Sequence, residues 1–489
     1  MNLPQGPKLP AWLLRMQFAA DPLGFLDKMN QRYGDIFTIM SDSTPLVFVG
    51  NSQGMKQIFT NTTEIIASGE LNEEAAPLVG KNGLLLLDGL RHRYRRKLLM
   101  PPLHGTKIRA YGQEICDLTE KVMSQLPIGK SFLAYPTMQK ITLEVIINTL
   151  FGLHEGDRYE KFRQLLANLM NYARSPFVEI PLSFPFLQQD LGRWSPWGYF
   201  LYLWRQFDEL LYAEISDRKA RPAPDSLLGS PPSLVGGCPN EIRTGADTGD
   251  RQQPNSSTND VLSELIFARN ETGELLTNEE VRDLFPSLLF GGRDASATAI
   301  TWALYWVHRL PTVREQLLKE IKSLGDSPDP MSIVELPYLN AVCNEILRIY
   351  PTQMVTFPRR VELPTELMGY NLSPGTVIIG CIYLTHHNKY LYPEPQQFQP
   401  ERFLKKQYSP YEFLPFGGGA RRCPGEALAF FEMKLVLATI LSHYQLALTN
   451  TQSEKPQPQG ANYPPASGLK MILCEIKQHR EQQQQAIHC

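Results

Sequence analysis

Residues 416–425 read FGGGARRCPG and lead directly into an apolar run, EALAFFEMKLVLATILSHY, at 426–444. Glycines at 417, 418, 419 and 425 surround one cysteine, Cys423. Glycine reaches backbone angles closed to other residues and lets amides come close to a sulfur atom. A thiolate in such a loop needs those donors and a nearby cation to stay deprotonated. By itself, a single cysteine is more often a small buried hydrophobe than a ligand. The surrounding pattern therefore has to decide.

Working outward, Pro400-Glu401-Arg402-Phe403 stands about twenty residues upstream of the cysteine. Earlier still is Glu345-Ile-Leu-Arg348, on a stretch where Leu339, Val342, Ile346 and Ile349 recur at helical spacing. Glu345 and Arg348 share one helix face. Such pairs are usually solvated and contribute little, but this one sits on an otherwise apolar helix. The long apolar run at 284–307 is interrupted by Pro286, Gly291, Gly292, Arg293 and Asp294. A charged pair in the middle of a lipid-exposed helix is costly, so the run reads as a buried core helix and not a membrane span.

In order and spacing, these motifs resemble those of the cytochromes P450. Phe416, Gly419, Arg421, Cys423 and Gly425 match the family's cysteine loop. The resemblance implies a mainly α fold with a small β region, its long central helix lying over a haem sandwiched against the cysteine-loop helix. Cys423 would be the metal ligand to haem b, pushing electron density onto the iron to favour O–O cleavage. Phe416 would shield the sulfur. Glu345, Arg348 and Arg402 would form the network that locks the core beneath the haem. The propionates would fall to His92 and Arg96, four apart on the basic stretch 91–100, with Arg359 and Arg421. In that stretch Arg91, Arg93, Arg95 and Lys97 read as a solvated face, whose charge would attract an acidic electron donor.

The central helix departs from the family's pattern. Gly291-Gly292-Arg293-Asp294-Ala295-Ser296 keeps the glycines, which open the helix for dioxygen, and the acid, Asp294. Ala295, however, occupies the place of the usual threonine, whose hydroxyl holds a water during proton delivery. Ser296 is the nearest substitute, yet one residue along a helix turns a side chain by about 100°. Asp294 and Ser296 are the candidate catalytic pair. Leu289, Ala295, Gln353 and Val355 are the candidate substrate contacts, Gln353 as a polar anchor among apolar neighbours.

Composition sets the outer bounds. The 489 residues are 43% hydrophobic and 20% charged, with a formal net charge of −2. That is ordinary globular composition, and it argues against a nucleic-acid binder. Seven cysteines, odd in number and widely spaced, form no disulfide framework or zinc spacing and suit a reducing, cytoplasmic setting. The N-terminus, MNLPQGPKLPAWLLRMQF, is too broken by proline for a signal peptide or a transmembrane anchor, leaving peripheral membrane contact at most. IFTIM and PLVFVG read as a hairpin, and further strands near the C-terminus imply one domain, 1–489, closed by long-range pairing. The stretch 222–260, rich in Pro, Gly, Ser, Asn and Asp, reads as a flexible insertion, and 477–489 as a frayed tail.

The expected activity is hydroxylation or epoxidation of a lipophilic molecule, such as a fatty acid or terpene, by dioxygen. Electrons would come from a separate ferredoxin or flavodoxin with its NAD(P)H reductase. A peroxide-using enzyme, or a hydroperoxide isomerase or dehydratase, is the alternative: Ala295 favours it and the retained Asp294 opposes it. A haem sensor without catalysis is the third reading.

Overall fold

The computed structural model describes residues 3–41, 43–220, 260–450 and 452–477. The expected flexible insertion (222–260, save its last residue) and the tail beyond 477 lie outside them. Helices make up most of the described chain. Ten short strands complete it: β1 (Ile36–Ser41), β2 (Thr44–Val49), β3 (Ile65–Ala67), β4 (Ser131–Leu133), β5 (Arg359–Val361), β6 (Thr365–Leu367), β7 (Tyr370–Leu372), β8 (Val377–Gly380), β9 (Tyr444–Leu448) and β10 (Lys470–Ile476).

β1 and β2 form the expected hairpin, with Ile36 opposite Val49. β2 then pairs in parallel with β8, Leu46 against Val377, within a five-stranded sheet ordered β1-β2-β8-β5-β3. A second sheet joins β4 to β10 and β9, and β6 pairs with β7. Strands more than 300 residues apart in sequence thus meet in both larger sheets.

The central helix begins at Asn278 behind a capping box, in which Glu280 N donates to Thr277 Oγ1 at 3.1 Å and Thr277 N to Glu280 Oε2 at 3.0 Å. It runs to Phe290, widens into a π-helical turn at Gly291–Ala295, and continues as Ser296–Arg309. Such turns free a backbone carbonyl and tend to mark functional positions. Here Thr142 Oγ1, on the helix Ala134–Phe151, donates to Arg293 O at 2.8 Å. Gly292 permits the close crossing, since a Cβ there would stand 2.5 Å from Ile146.

The basic helix spans Gly89–Leu99 and stops where Pro101 and Pro102 follow. One expectation about it fails. Arg95 is not solvated: it is fully buried and pairs with Glu280 of the capping box, with Glu271 at 3.9 Å. The helices Pro337–Ile349 and Glu426–His443 pack with the central helix in the main core.

Candidate active site

Glycine builds the cysteine loop. Gly417 and Gly419 have φ of +70° and +65°, in the left-handed region where a Cβ is strained. Gly418 lies so near the Phe59 ring that a Cβ would come within 2.7 Å. The turn closes when Cys423 N donates to Phe416 O at 2.9 Å, and the Phe416 ring packs on Phe430 with centroids 5.5 Å apart. Burial pushes the Cys423 thiol up, while the Gly425 amide, Arg96 and Arg422 act in the other direction.

Beneath the loop, Glu345 is completely buried and saturated with donors. Arg348 grips it with Nε at 2.7 Å and Nη2 at 2.9 Å, Arg402 Nε adds 3.1 Å, and the Gln399 amide 2.9 Å. The three predicted residues are therefore in one network. It extends further than the sequence indicated: Arg348 Nη1 donates to His386 O at 3.0 Å, and His386 Nε2 accepts from Leu414 N at 3.0 Å, two residues before Phe416. His386 must therefore carry its proton on Nδ1. Burial holds its pKa well below the usual range, so the ring stays neutral.

A second group gathers buried cations. Arg359 is 3% exposed, lies over the Phe59 ring at 4.6 Å and donates to Phe357 O at 2.8 Å. Burial and the neighbouring Arg421 push it down to about 10. His92 is pushed down to about 3 by burial and by Arg421, Arg96 and Arg93. Among the described residues no carboxylate forms an ion pair with Arg96 or Arg359. Arg421 differs: it donates to Leu84 O at 3.1 Å and Leu87 O at 2.6 Å, pairs with Asp88, and lies over Phe357 at 4.4 Å.

The central helix presents an uncrowded face at its widened turn. A Cβ on Gly291 would meet nothing within 4 Å, and Ala295, one turn on, is only half-buried. Asp294 points elsewhere. Fully buried, it pairs with Arg174, accepts from Gln139 Nε2 at 3.1 Å and has Arg293 Nε at 3.6 Å. Neither Gln139 nor Arg174 carried any signal in the sequence. Ser296 turns away as well. Its hydroxyl donates to Glu432 on the helix after the cysteine, a carboxyl that burial pushes up to about 8. The 100° offset that made Ser296 a poor substitute for a threonine thus aims it into the core.

The substrate candidates are scattered. Leu289 is 1% exposed and closed into the main core, so it does not line the Gly291–Ala295 face as expected. Val355 is half-buried against the cluster containing Met354, and Gln353 is exposed.

A haem group needs a sulfur ligand, cations for its propionates and an open distal wall. The donor set fits: a half-buried thiol flanked by guanidinium groups, the cations Arg96 and Arg359, each near Arg421 and neither ion-paired to a carboxylate among the described residues, and a helix face kept clear at Gly291. Residues that would hold it are Cys423, His92, Arg96, Arg359 and, behind Asp88, Arg421.

Residues 4–476 match the family model described as Cytochrome P450. Cytochrome P450 135B1 of Mycobacterium tuberculosis is 32% identical over 460 residues, covering 94% of this chain and 88% of that one. Cytochrome P450 138 of the same organism is 27% identical over 479 residues, covering 97% and 96%. Among solved structures, the cyanobacterial CYP120A1 with retinoic acid bound has the same fold, with a TM-score of 0.78 at 22% identity over 97% of this chain and 99% of that one. The chain belongs to the cytochrome P450 family of haem-thiolate monooxygenases.

Proposed function

We propose that the protein carries haem b and hydroxylates or epoxidises a lipophilic small molecule such as a fatty acid or terpene in the cytoplasm. Its electrons come from a ferredoxin or flavodoxin served by an NAD(P)H reductase. When bound, haem supplies dioxygen activation and the oxidation of the substrate carbon. Cys423 Sγ ligates it, with the Gly425 amide and the Arg96 and Arg422 guanidinium groups stabilising negative charge on the sulfur. His92, as a neutral donor, and Arg96 and Arg359, as cations, orient the propionates. The exposed Arg93 and Lys97 on the basic helix suit an acidic electron donor.

The observation that carries the dioxygen reading is Asp294, a buried carboxylate held beside the widened turn by Arg174 and Gln139. Rotating out of that grip and taking up a proton from water, it would relay that proton towards the Gly291–Ala295 face. Ala295 brings no hydroxyl to receive it, so a water or a hydroxyl of the substrate completes the path.

One observation favours peroxide chemistry instead: with Ala295 in place and Ser296 turned to Glu432, neither residue offers a hydroxyl to that face. Optical titration of the haem-loaded ferric protein with fatty acids, terpenes, steroids, retinoic acid and fatty-acid hydroperoxides separates the two. A high-spin shift with one lipophilic class supports the monooxygenase and names its substrate. Turnover of hydroperoxides alone, with no spin shift from any other compound, overturns it. Ala295→Thr should raise product formed per reductant consumed; unchanged or lower coupling speaks for substrate-assisted or peroxide chemistry.

A further inference from the structure

Two of the chain's six tryptophans, Trp302 and Trp306, stand one turn apart on the central helix. Trp302 is fully buried, and Tyr350, just after the helix that carries Glu345 and Arg348, stacks on it with centroids 3.7 Å apart and planes 14° from parallel. Tyr305 joins the two indoles, edge-on to Trp302 at 5.6 Å and to Trp306 at 5.2 Å. Tyr305 is itself buried, whereas Trp306 is partly exposed. Aromatic clusters ordinarily do no more than fill a core. This one is made of the two ring types that lose an electron most readily, and each ring meets the next from the interior towards solvent.

The inner end lies towards the Gly291–Ala295 face. Trp302 follows Ala295 by seven residues, nearly two full turns, which puts both on one side of the helix about 10 Å apart along its axis. The surroundings manage the protons. Trp302 Nε1 donates to Tyr463 O at 2.9 Å, a carbonyl that holds the indole proton without taking it. Burial, with Tyr305 and Glu454 nearby, pushes the Tyr350 phenol up, so that ring keeps its proton. Arg309, over the Tyr305 ring at 5.8 Å, disfavours positive charge there, so oxidation of Tyr305 goes with loss of its phenol proton. The acceptor is the side chain of Glu454, whose amide already reaches the phenol oxygen at 3.4 Å.

We propose that Trp302, Tyr305 and Trp306 form an electron relay that reduces the haem-based oxidant when no substrate takes it, drawing on a thiol in solution. The relay rests on haem being bound at Cys423 and is indifferent to whether dioxygen or peroxide forms the oxidant. Trp302 passes one electron inward and becomes a cation radical, its charge shared with the stacked Tyr350. Tyr305 refills it, lending its phenol proton to Glu454, and Trp306 refills Tyr305, which takes that proton back. A thiol at the surface reduces Trp306 and releases a proton. Two passes turn the oxidant's oxygen atom into water and join two thiols as a disulfide. Ala295 gives the relay a use, since without a hydroxyl to steer protons part of the oxidising power misses the substrate.

The test is freeze-quench electron paramagnetic resonance of the haem-loaded ferric protein mixed with peracetic acid and no substrate, followed by peptide mass spectrometry, on wild type, Trp302→Phe, Tyr305→Phe and Trp306→Phe. Phenylalanine keeps a packed ring and removes its redox chemistry, and the carbon-monoxide spectrum of each reduced variant checks its fold. Wild type should show a tryptophan or tyrosine radical, carry added oxygen chiefly at Trp306, and bleach its haem severalfold more slowly than Trp302→Phe, the gap widening when glutathione is added. Tyr305→Phe, the mildest change, should keep the radical on Trp302 and lose the mark on Trp306. Radical and bleaching rate unchanged in all three variants overturn the proposal, as does oxidation scattered over other residues. A haem-loaded wild type that forms no protein radical also overturns it. Failure of the chain to bind haem, seen beforehand in its absorption, would overturn the haem reading and the relay with it.

Discussion

Replacing Glu432 by glutamine should flatten the pH dependence of stability. The carboxyl is fully enclosed between the cysteine-loop helix and the central helix, with the Ser296 hydroxyl as the single group that favours its charge, and burial raises it from 4.5 to about 8. A carboxyl raised on folding stays protonated in the native state after the unfolded chain has ionised. Its stabilising effect is complete below about pH 4.5 and is lost as pH rises to about 8. Each pH unit in that window removes up to about 1.4 kcal/mol, so wild type should lose up to about 3 kcal/mol relative to Glu432→Gln between pH 5 and 7. Urea denaturation of both haem-loaded proteins, followed by far-UV circular dichroism across that range, measures the difference directly. Parallel profiles would refute the reasoning, because the carboxyl would then ionise alike in the folded and unfolded chains.

Cys423→Ser should abolish the thiolate-type carbon-monoxide spectrum of the reduced protein, and retention of that spectrum would remove the ligand assignment. Arg348→Leu leaves the buried Glu345 charge without its bidentate partner, and a loss of about 3–5 kcal/mol should appear in the urea midpoint. Lysine at 348 should not restore it, since one ammonium cannot reproduce the fork; full recovery would show the pairing geometry to be irrelevant. Asp294→Asn should keep the spectrum yet slow turnover roughly a hundredfold with a larger solvent isotope effect, if the carboxylate moves protons. Unaltered kinetics would take Asp294 out of the mechanism.

Much of this architecture was readable from the chain. The cysteine loop, Glu345, Arg348 and Arg402 were visible because steep local requirements leave local marks: glycines where φ must be positive, and charges on an apolar helix where they must pair. The β1–β2 hairpin and the helices Gly89–Leu99, Pro337–Ile349 and Glu426–His443 emerged from periodicity and from proline or glycine stops. The helices Asp157–Ala173 and Pro196–Lys219 gave no comparable signal, although the first carries Asn171, the partner of Arg293, and is followed directly by Arg174, the partner of Asp294.

By itself, then, the sequence determined which residues could form the thiolate loop and its buried charge network, and that a hydroxyl is missing at Ala295. Only the tertiary structure decided where side chains point and what they meet. Arg95 left the solvated face to pair with Glu280, Ser296 turned to Glu432, Leu289 closed into the core, and Asp294 met Arg174 from a distant helix. The reason is physical. Helical phase and backbone strain are set by neighbours along the chain, whereas burial and charge pairing depend on elements that meet only after folding, more than a hundred residues apart in sequence.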